Sequence, residues 1–311
     1  MHPAFSIIFF TITSGLGYGL LFFSGLYVVL DRTGDITESL FSPLVVSSII
    51  GLTLVALGIL SSILHLANPK NAWRAFLRFR SSWLSREGVF ALLTFPVVFA
   101  FIFTIIATET NSVTSKTTAI ILMIISLLTV YSTGMIYACL KTIRAWNSPL
   151  VPTNYVLLGL LSGALTMFAI LNYYNQQSEL LLTLIMELLC LAFITKAIYY
   201  YFIGKPSELS IKTATGLSSR KVRLLHTGES SKNFLMREFG FDISVKKMLL
   251  LRFCSILLMV VMPTLCLITQ PTSFHFILIA VICNFFGLLL ERWLFFAEAK
   301  HVVNLYYGRE A

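Results

Sequence analysis

Residues 65–88 read HLANPKNAWRAFLRFRSSWLSREG. They separate two apolar runs, 43–66 and 88–107, each of about the ~20 residues a helix needs to cross a ~30 Å hydrocarbon core. Between those runs stand five basic residues (Lys70, Arg74, Arg78, Arg80, Arg86) and two tryptophans (Trp73, Trp83). Advancing 100° per residue over 73–84 puts Trp73, Phe76, Leu77, Trp83 and Leu84 on one arc and Arg74, Arg78, Ser81 and Ser85 on the other. That pattern predicts a basic amphipathic helix lying at a membrane surface with its rings at headgroup level. Arg80 falls in the middle of the apolar arc, where a guanidinium needs a partner.

Composition agrees with a membrane chain. Of 311 residues, 57% are hydrophobic and 12% charged, with 26 Phe and a mean hydropathy of +0.84, whereas soluble domains carry roughly 25% charged residues. The net charge of +9 therefore reflects topology and anionic lipid headgroups, and nucleic acid is not an expected partner. Five cysteines (139, 190, 254, 266, 283) lie scattered in apolar runs without CxxC spacing, which argues against zinc or iron–sulfur ligation by this chain. MHPAFSIIFF has neither a basic leader nor a small-residue cleavage site and reads as the start of a first span.

Working outward, eight runs reach spanning length: 4–30, 43–66, 88–107, 118–140, 154–174, 180–203, 248–269 and 273–297. Helices are expected, because no alternating short strands suggest a barrel and backbone polar groups must be satisfied in lipid. The fold class is all-α: one membrane domain over 1–311, an eight-helix bundle with a basic interfacial segment and a long loop at 204–247. With eight spans, the termini and the loops 67–87, 141–153 and 204–247 share one side and carry 19 Lys and Arg, against 2 on the other. The positive-inside rule makes the basic side cytoplasmic. In the first span Gly15 and Gly19 form a small-xxx-small face for close helix approach. GLGYGLLFFSG is not a nucleotide loop, because no strand precedes it. The long loop reads as a docking segment whose Phe234, Leu235, Met236, Phe239 and Phe241 pack on a partner or on the bundle end.

The five histidines do not supply a facing pair for haem inside the bundle. His65 ends the second span beside the basic segment, where an imidazole can exchange a hydrogen bond and a proton with a quinone oxygen. Arg80 could hold the second oxygen and Trp73 and Trp83 could pack on the ring. The competing reading is that His65 caps helix carbonyls and Arg80 snorkels to a lipid phosphate. Arg74, Arg78 and Arg86 form a candidate docking face. Glu187, about 12 Å inside the sixth span, is either hydrogen-bonded within the bundle or part of a proton path. Lys196 is expected to snorkel, Glu87 to complement a helix dipole, and Asn284 to bond across helices.

The opening MHPAFSIIFFTITSG, the 65–88 stretch and the loop TATGLSSRKVRLLHTGESSKNFLMREFGFD resemble the dimethyl sulfoxide reductase anchor subunit family along the whole chain. That resemblance implies a haem-free anchor in the bacterial inner (cytoplasmic) membrane. It implies a partner catalytic subunit with a molybdenum bis(pterin guanine dinucleotide) cofactor and an iron–sulfur subunit with [4Fe–4S] clusters. It also implies exchange of electrons with ubiquinone or menaquinone, with His65 at the position tied to quinone binding. Similar anchors serve S- and N-oxide reductases, which oxidise quinol, and sulfite dehydrogenases, which reduce quinone. The basic inner face favours the sulfite-oxidising type. The rival readings are a structural anchor without a quinone site and a solute transporter, for which matching inverted repeats are absent.

Overall fold

The computed structural model describes residues 3–30, 38–63, 68–107, 110, 112–205, 209–217, 222, 224–226, 241 and 243–308, without the side chains of 38–41 and 69. Among the described residues, eight helices are long and apolar enough to cross a membrane: Phe5–Leu30, Ser42–Ile63, Trp83–Ala107, Val113–Ala138, Leu150–Tyr173, Glu179–Gly204, Val245–Thr269 and Phe274–Ala297. They are numbered here as spans one to eight, and no named strand occurs among the described residues. The expected all-α membrane bundle is therefore present. Span three begins five residues earlier than the hydropathy suggests, because Trp83, Leu84 and Gly88 continue the helix through Arg86 and Glu87.

Spans one and five are buried along most of their length and form the centre. Their contact depends on glycines from both sides. A Cβ added to Gly19 would lie 2.0 Å from the Gly159 carbonyl oxygen, and one on Gly163 would lie 2.1 Å from the Gly19 carbonyl carbon. The expected Gly15/Gly19 face thus meets a second face, Gly159 and Gly163 of span five, so two backbones touch where side chains would hold them apart.

Span seven is interrupted by a π-helical turn, Leu257–Val261, just before Pro263. Proline has no N–H, so the carbonyl four residues earlier, that of Met259, loses its helical donor. Asn284 of span eight donates its Nδ2–H to that oxygen at 3.0 Å. Gly287, one turn further on, leaves room for span eight to press against the Met259 backbone, where a Cβ would sit 2.4 Å from the Met259 nitrogen. The expected interhelical bond of Asn284 thus repairs a defect that Pro263 creates.

At the end of the bundle that carries residues 68–82, here the basic end, the 139–149 connection is pinned by Trp146. Its Nε1–H donates to the Phe295 carbonyl at 3.0 Å and its ring stacks on Phe295 at 5.4 Å. Of the long loop, Ile211–Thr215 forms a single capped helical turn. Phe241 meets the Trp293 ring edge-on at 6.0 Å, so this loop aromatic packs on the bundle. Phe234, Leu235, Met236 and Phe239 lie outside the described residues.

Candidate functional site

The 68–88 stretch is two elements and not one amphipathic α-helix. Pro69–Arg78 is a 3-10 helix opened by proline. A turn follows, and span three starts at Trp83, where the Ser82 hydroxyl accepts the Ser85 N–H at 3.4 Å. A 3-10 helix advances 120° per residue, so the arcs drawn at 100° do not apply and Arg80 lies beyond the helix end. Its side chain is exposed and not set within an apolar arc. Arg86, expected on the docking face, instead braces the turn. Its Nε donates to the Phe79 carbonyl at 3.1 Å, its Nη2 to the Arg80 carbonyl at 2.8 Å, and its guanidinium covers the Trp83 ring at 4.1 Å.

Trp73 is 57% exposed with Arg74 beside it at 5.7 Å. Trp83 packs edge-on against Tyr131 of span four at 5.8 Å, and no ring contact joins the two tryptophans. Arg74 and Arg78 are exposed, as a docking face requires. Phe76 lies over Gly88, where a Cβ would come within 3.2 Å of its ring, so the short helix rests on the first turns of span three. His65 falls outside the described residues.

One residue from that contact is Glu87. The expected role as a helix-dipole partner gives way to a different position: its carboxyl is buried and takes a hydrogen bond from the Thr133 hydroxyl of span four. Lys196 does not snorkel either. It is 2% exposed, and its Nζ donates to Glu291 Oε1 of span eight at 2.5 Å. Arg292, counted among the 19 basic residues of the inner side, lies within span eight and is also buried; its Nη1 is 3.3 Å from Glu291 Oε2 and its guanidinium lies 3.6 Å over the Tyr155 ring. At the rim, Arg252 holds Glu298 in a two-point ion pair, 2.8 Å for each contact. Asn284 and Glu291 on span eight and Glu298 just past its end recur every seven residues, a periodic polar stripe whose spacing is the sequence signal for these partners.

Glu187 lies on the outward, exposed face of span six, with no ion pair or hydrogen bond among the described residues. A role inside the bundle therefore belongs to other carboxylates. Glu87, Lys196, Glu291 and Arg292 are the buried charged side chains among the described residues. Their charges sum to zero when all are ionised, which suits a low-dielectric interior that penalises any uncompensated charge. Thr133, Glu87's partner, and Arg292 border a small cavity together with Tyr155, Thr11, Ser14 and Ser162, with room for about one water molecule.

Two comparisons bear on this arrangement. The chain is 30% identical to a subunit of the sulfite dehydrogenase of Allochromatium vinosum, over an alignment covering 99% of both chains. The profile of the DMSO reductase anchor subunit, DmsC, matches residues 1–308. With eight spans, a basic end and a match over nearly its full length, the chain belongs to the DMSO reductase anchor subunit family.

Proposed function

We propose that this chain anchors an iron–sulfur subunit and a molybdopterin catalytic subunit on its basic end and passes their electrons to a membrane quinone beside residues 65–83. Family membership already makes it a membrane anchor subunit of a DMSO reductase-family molybdopterin oxidoreductase complex, associated with a catalytic subunit. The observation that carries the finer reading is the 69–82 segment itself. Its guanidiniums at Arg74, Arg78 and Arg80 and its rings at Trp73 and Phe76 are exposed together, directly over the start of span three. A quinone head needs a flat apolar surface and hydrogen-bond donors for two oxygens, and this donor set fits it. His65, four residues before Pro69 in sequence, would donate to one oxygen and exchange its proton, and Arg80 would hold the other. Trp73 and Trp83 would bracket the approach from the lipid.

When bound, the quinone accepts two electrons and two protons. The protein's part is to keep the head at the interface, beneath a docking face of Arg74 and Arg78, so that the nearest cluster lies within electron-transfer range. No haem is required of this chain, and the clusters and molybdenum belong to its partners. The similarity to a sulfite dehydrogenase subunit favours sulfite oxidation with quinone reduction over quinol oxidation by an S- or N-oxide reductase. The positive-inside bias supports a cytoplasm-facing basic end, in keeping with an anchor in a bacterial inner membrane.

The test is His65→Ala and His65→Arg in the intact complex, with assembly followed by co-purification and electron transfer by reduction of a soluble quinone analogue. Loss of quinone turnover in assembled complex supports the site. Assembly with unchanged turnover would leave the chain a purely structural anchor.

A further inference from the structure

Charged side chains of the spans stand near an end, as Lys116 and Lys246 do, or pair within the bundle, as Lys196 and Glu291 do. Glu187 does neither. Span six has 26 residues and is about 39 Å long, and Glu187 stands about 12 Å from its outer end. Sharing the excess over a ~30 Å core between the two ends leaves its backbone about 8 Å inside the hydrocarbon, further than two methylenes reach. Its neighbours on the helix offer no partner. Thr183, one turn outward, donates its O–H to the Glu179 carbonyl at 2.9 Å. Lys196, nine residues on and on the opposite side, is committed to Glu291. An intramembrane carboxyl is expensive and nearly always meets a partner.

The surroundings of Glu187 indicate what covers it. At 100° per residue, Leu180, Leu191, Ile194, Ile198 and Tyr201 fall within about 40° of it, and all five are exposed. The opposite side of the helix, with Ile185, Leu189, Ala192 and Lys196, is buried against the bundle. One aliphatic stripe therefore runs the length of span six, and it carries a single carboxyl. Span six packs on span five and on the π-helical turn of span seven, whereas residues 69–78 rest on span three. A helix laid on the stripe leaves the exposed basic segment free.

We propose that this stripe is the interface between two copies of the chain, with the two Glu187 carboxyls meeting across a two-fold axis. Copies inserted the same way round are related by an axis along the membrane normal, so each residue meets its own counterpart at its own depth. A foreign helix would have to bring a donor to that level, whereas a second copy brings one by symmetry. A carboxyl both donates and accepts, so an O–H of one Glu187 donates to an oxygen of the other. The Leu and Ile side chains above and below supply the packing that holds helices together in lipid. Nothing in this depends on where a quinone binds.

The experiment uses the intact complex. Its copy number is read by native mass spectrometry from a mild detergent over a dilution series. Contact in native membranes is read by oxidative cross-linking of Ile194→Cys, with Leu92→Cys on the exposed face of span three as the control. Both cysteines are placed in a chain whose exposed Cys139 and Cys190 are serine. The interface predicts particles with two anchor chains, and a doubled anchor band for Ile194→Cys but not for Leu92→Cys. Glu187→Leu should raise the dissociation constant about tenfold, while Glu187→Gln, whose amide also donates and accepts, should hold it near wild type. A single anchor chain at every concentration, with no cross-link at 194, would overturn the proposal. So would cross-linking of Ile194→Cys to a different membrane protein, which would give the stripe to a foreign helix. An unchanged dissociation constant in Glu187→Leu would remove the carboxyl from the interface and refute it equally.

Discussion

Gly15 and Gly19 look equivalent in the sequence, one turn apart on the same face, yet the structure assigns them opposite responses to alanine. A Cβ on Gly19 meets the Gly159 carbonyl oxygen at 2.0 Å and its carbon at 2.8 Å, while one on Gly15 is 4.0 Å from its nearest neighbour, the Gly159 Cα. Ordinary contact begins near 3.4 Å. Gly19→Ala therefore forces spans one and five apart by about 1.4 Å at their crossing, and the obstacle is backbone, which has no rotamer to change. The cost belongs at the upper end of the ~1–3 kcal/mol typical of overpacking. Gly15→Ala meets no wall and gains up to about 1 kcal/mol of helix propensity. Reversible unfolding in mixed detergent–SDS micelles, followed by circular dichroism, measures both. Gly19→Ala should unfold earlier than wild type and Gly15→Ala no earlier. Gly163→Ala should cost as much as Gly19→Ala, but the pair together should cost less than the sum, since one substitution already parts the helices that the other would clash with. A Gly19→Ala protein within about 0.5 kcal/mol of wild type would refute the close-approach argument, as would equal costs at 15 and 19.

Four further outcomes follow from named contacts. Asn284→Leu should cost about 1–2 kcal/mol by stranding the Met259 carbonyl, and less than half of that in a Pro263→Ala background, which restores a helical N–H; equal costs in both backgrounds would show that the carbonyl is not the point. Trp146→Phe should lose about 1–2 kcal/mol with the bond to Phe295 and make the 139–149 connection easier to cleave by protease, whereas unchanged cleavage would count against that bond. Arg86→Lys cannot reach both the Phe79 and Arg80 carbonyls, so residues 69–82 should become protease-sensitive while spans three and four stay intact; full protection would show that the turn is held by something else. His301, outside the spans, accepts the Val303 N–H on Nδ1, and burial lowers its pKa from 6.5. The stability it contributes is present above 6.5 and is lost as the pH falls through the lowered folded-state value, so the protection factors of the 302–308 amides, corrected for the intrinsic base-catalysed rate, should fall on acidification; pH-independent protection would refute it.

Much of the fold was legible because hydrocarbon is a strict solvent. Runs of ~20 apolar residues have few alternatives to crossing it as helices, and eight such runs, with the basic residues gathered in every second loop and so on one side, give the bundle. The 68–88 stretch was legible in composition but not in geometry. Pro69 opens a 3-10 helix and the Ser82 cap starts a new one, so the facing of Trp73, Arg80 and Trp83 could not be read at one fixed angle. Glu187 and Glu87 show the same limit from opposite sides: one midspan carboxyl turns out to face outward, and one end-of-span carboxyl turns out to be buried.

The sequence by itself determined the membrane environment, the number of spans, the basic end and the need for small residues in span one, since each depends on composition along a single helix. Only the tertiary structure decided which charges face one another. Lys196 and Glu291 are 95 residues apart, Glu87 and Thr133 are 46 apart, and the partner of Gly19 lies in span five. A lipid-facing helix is apolar on nearly every side, so its sequence carries little sign of which side turns inward, and the pairings are set by the packing of neighbouring helices.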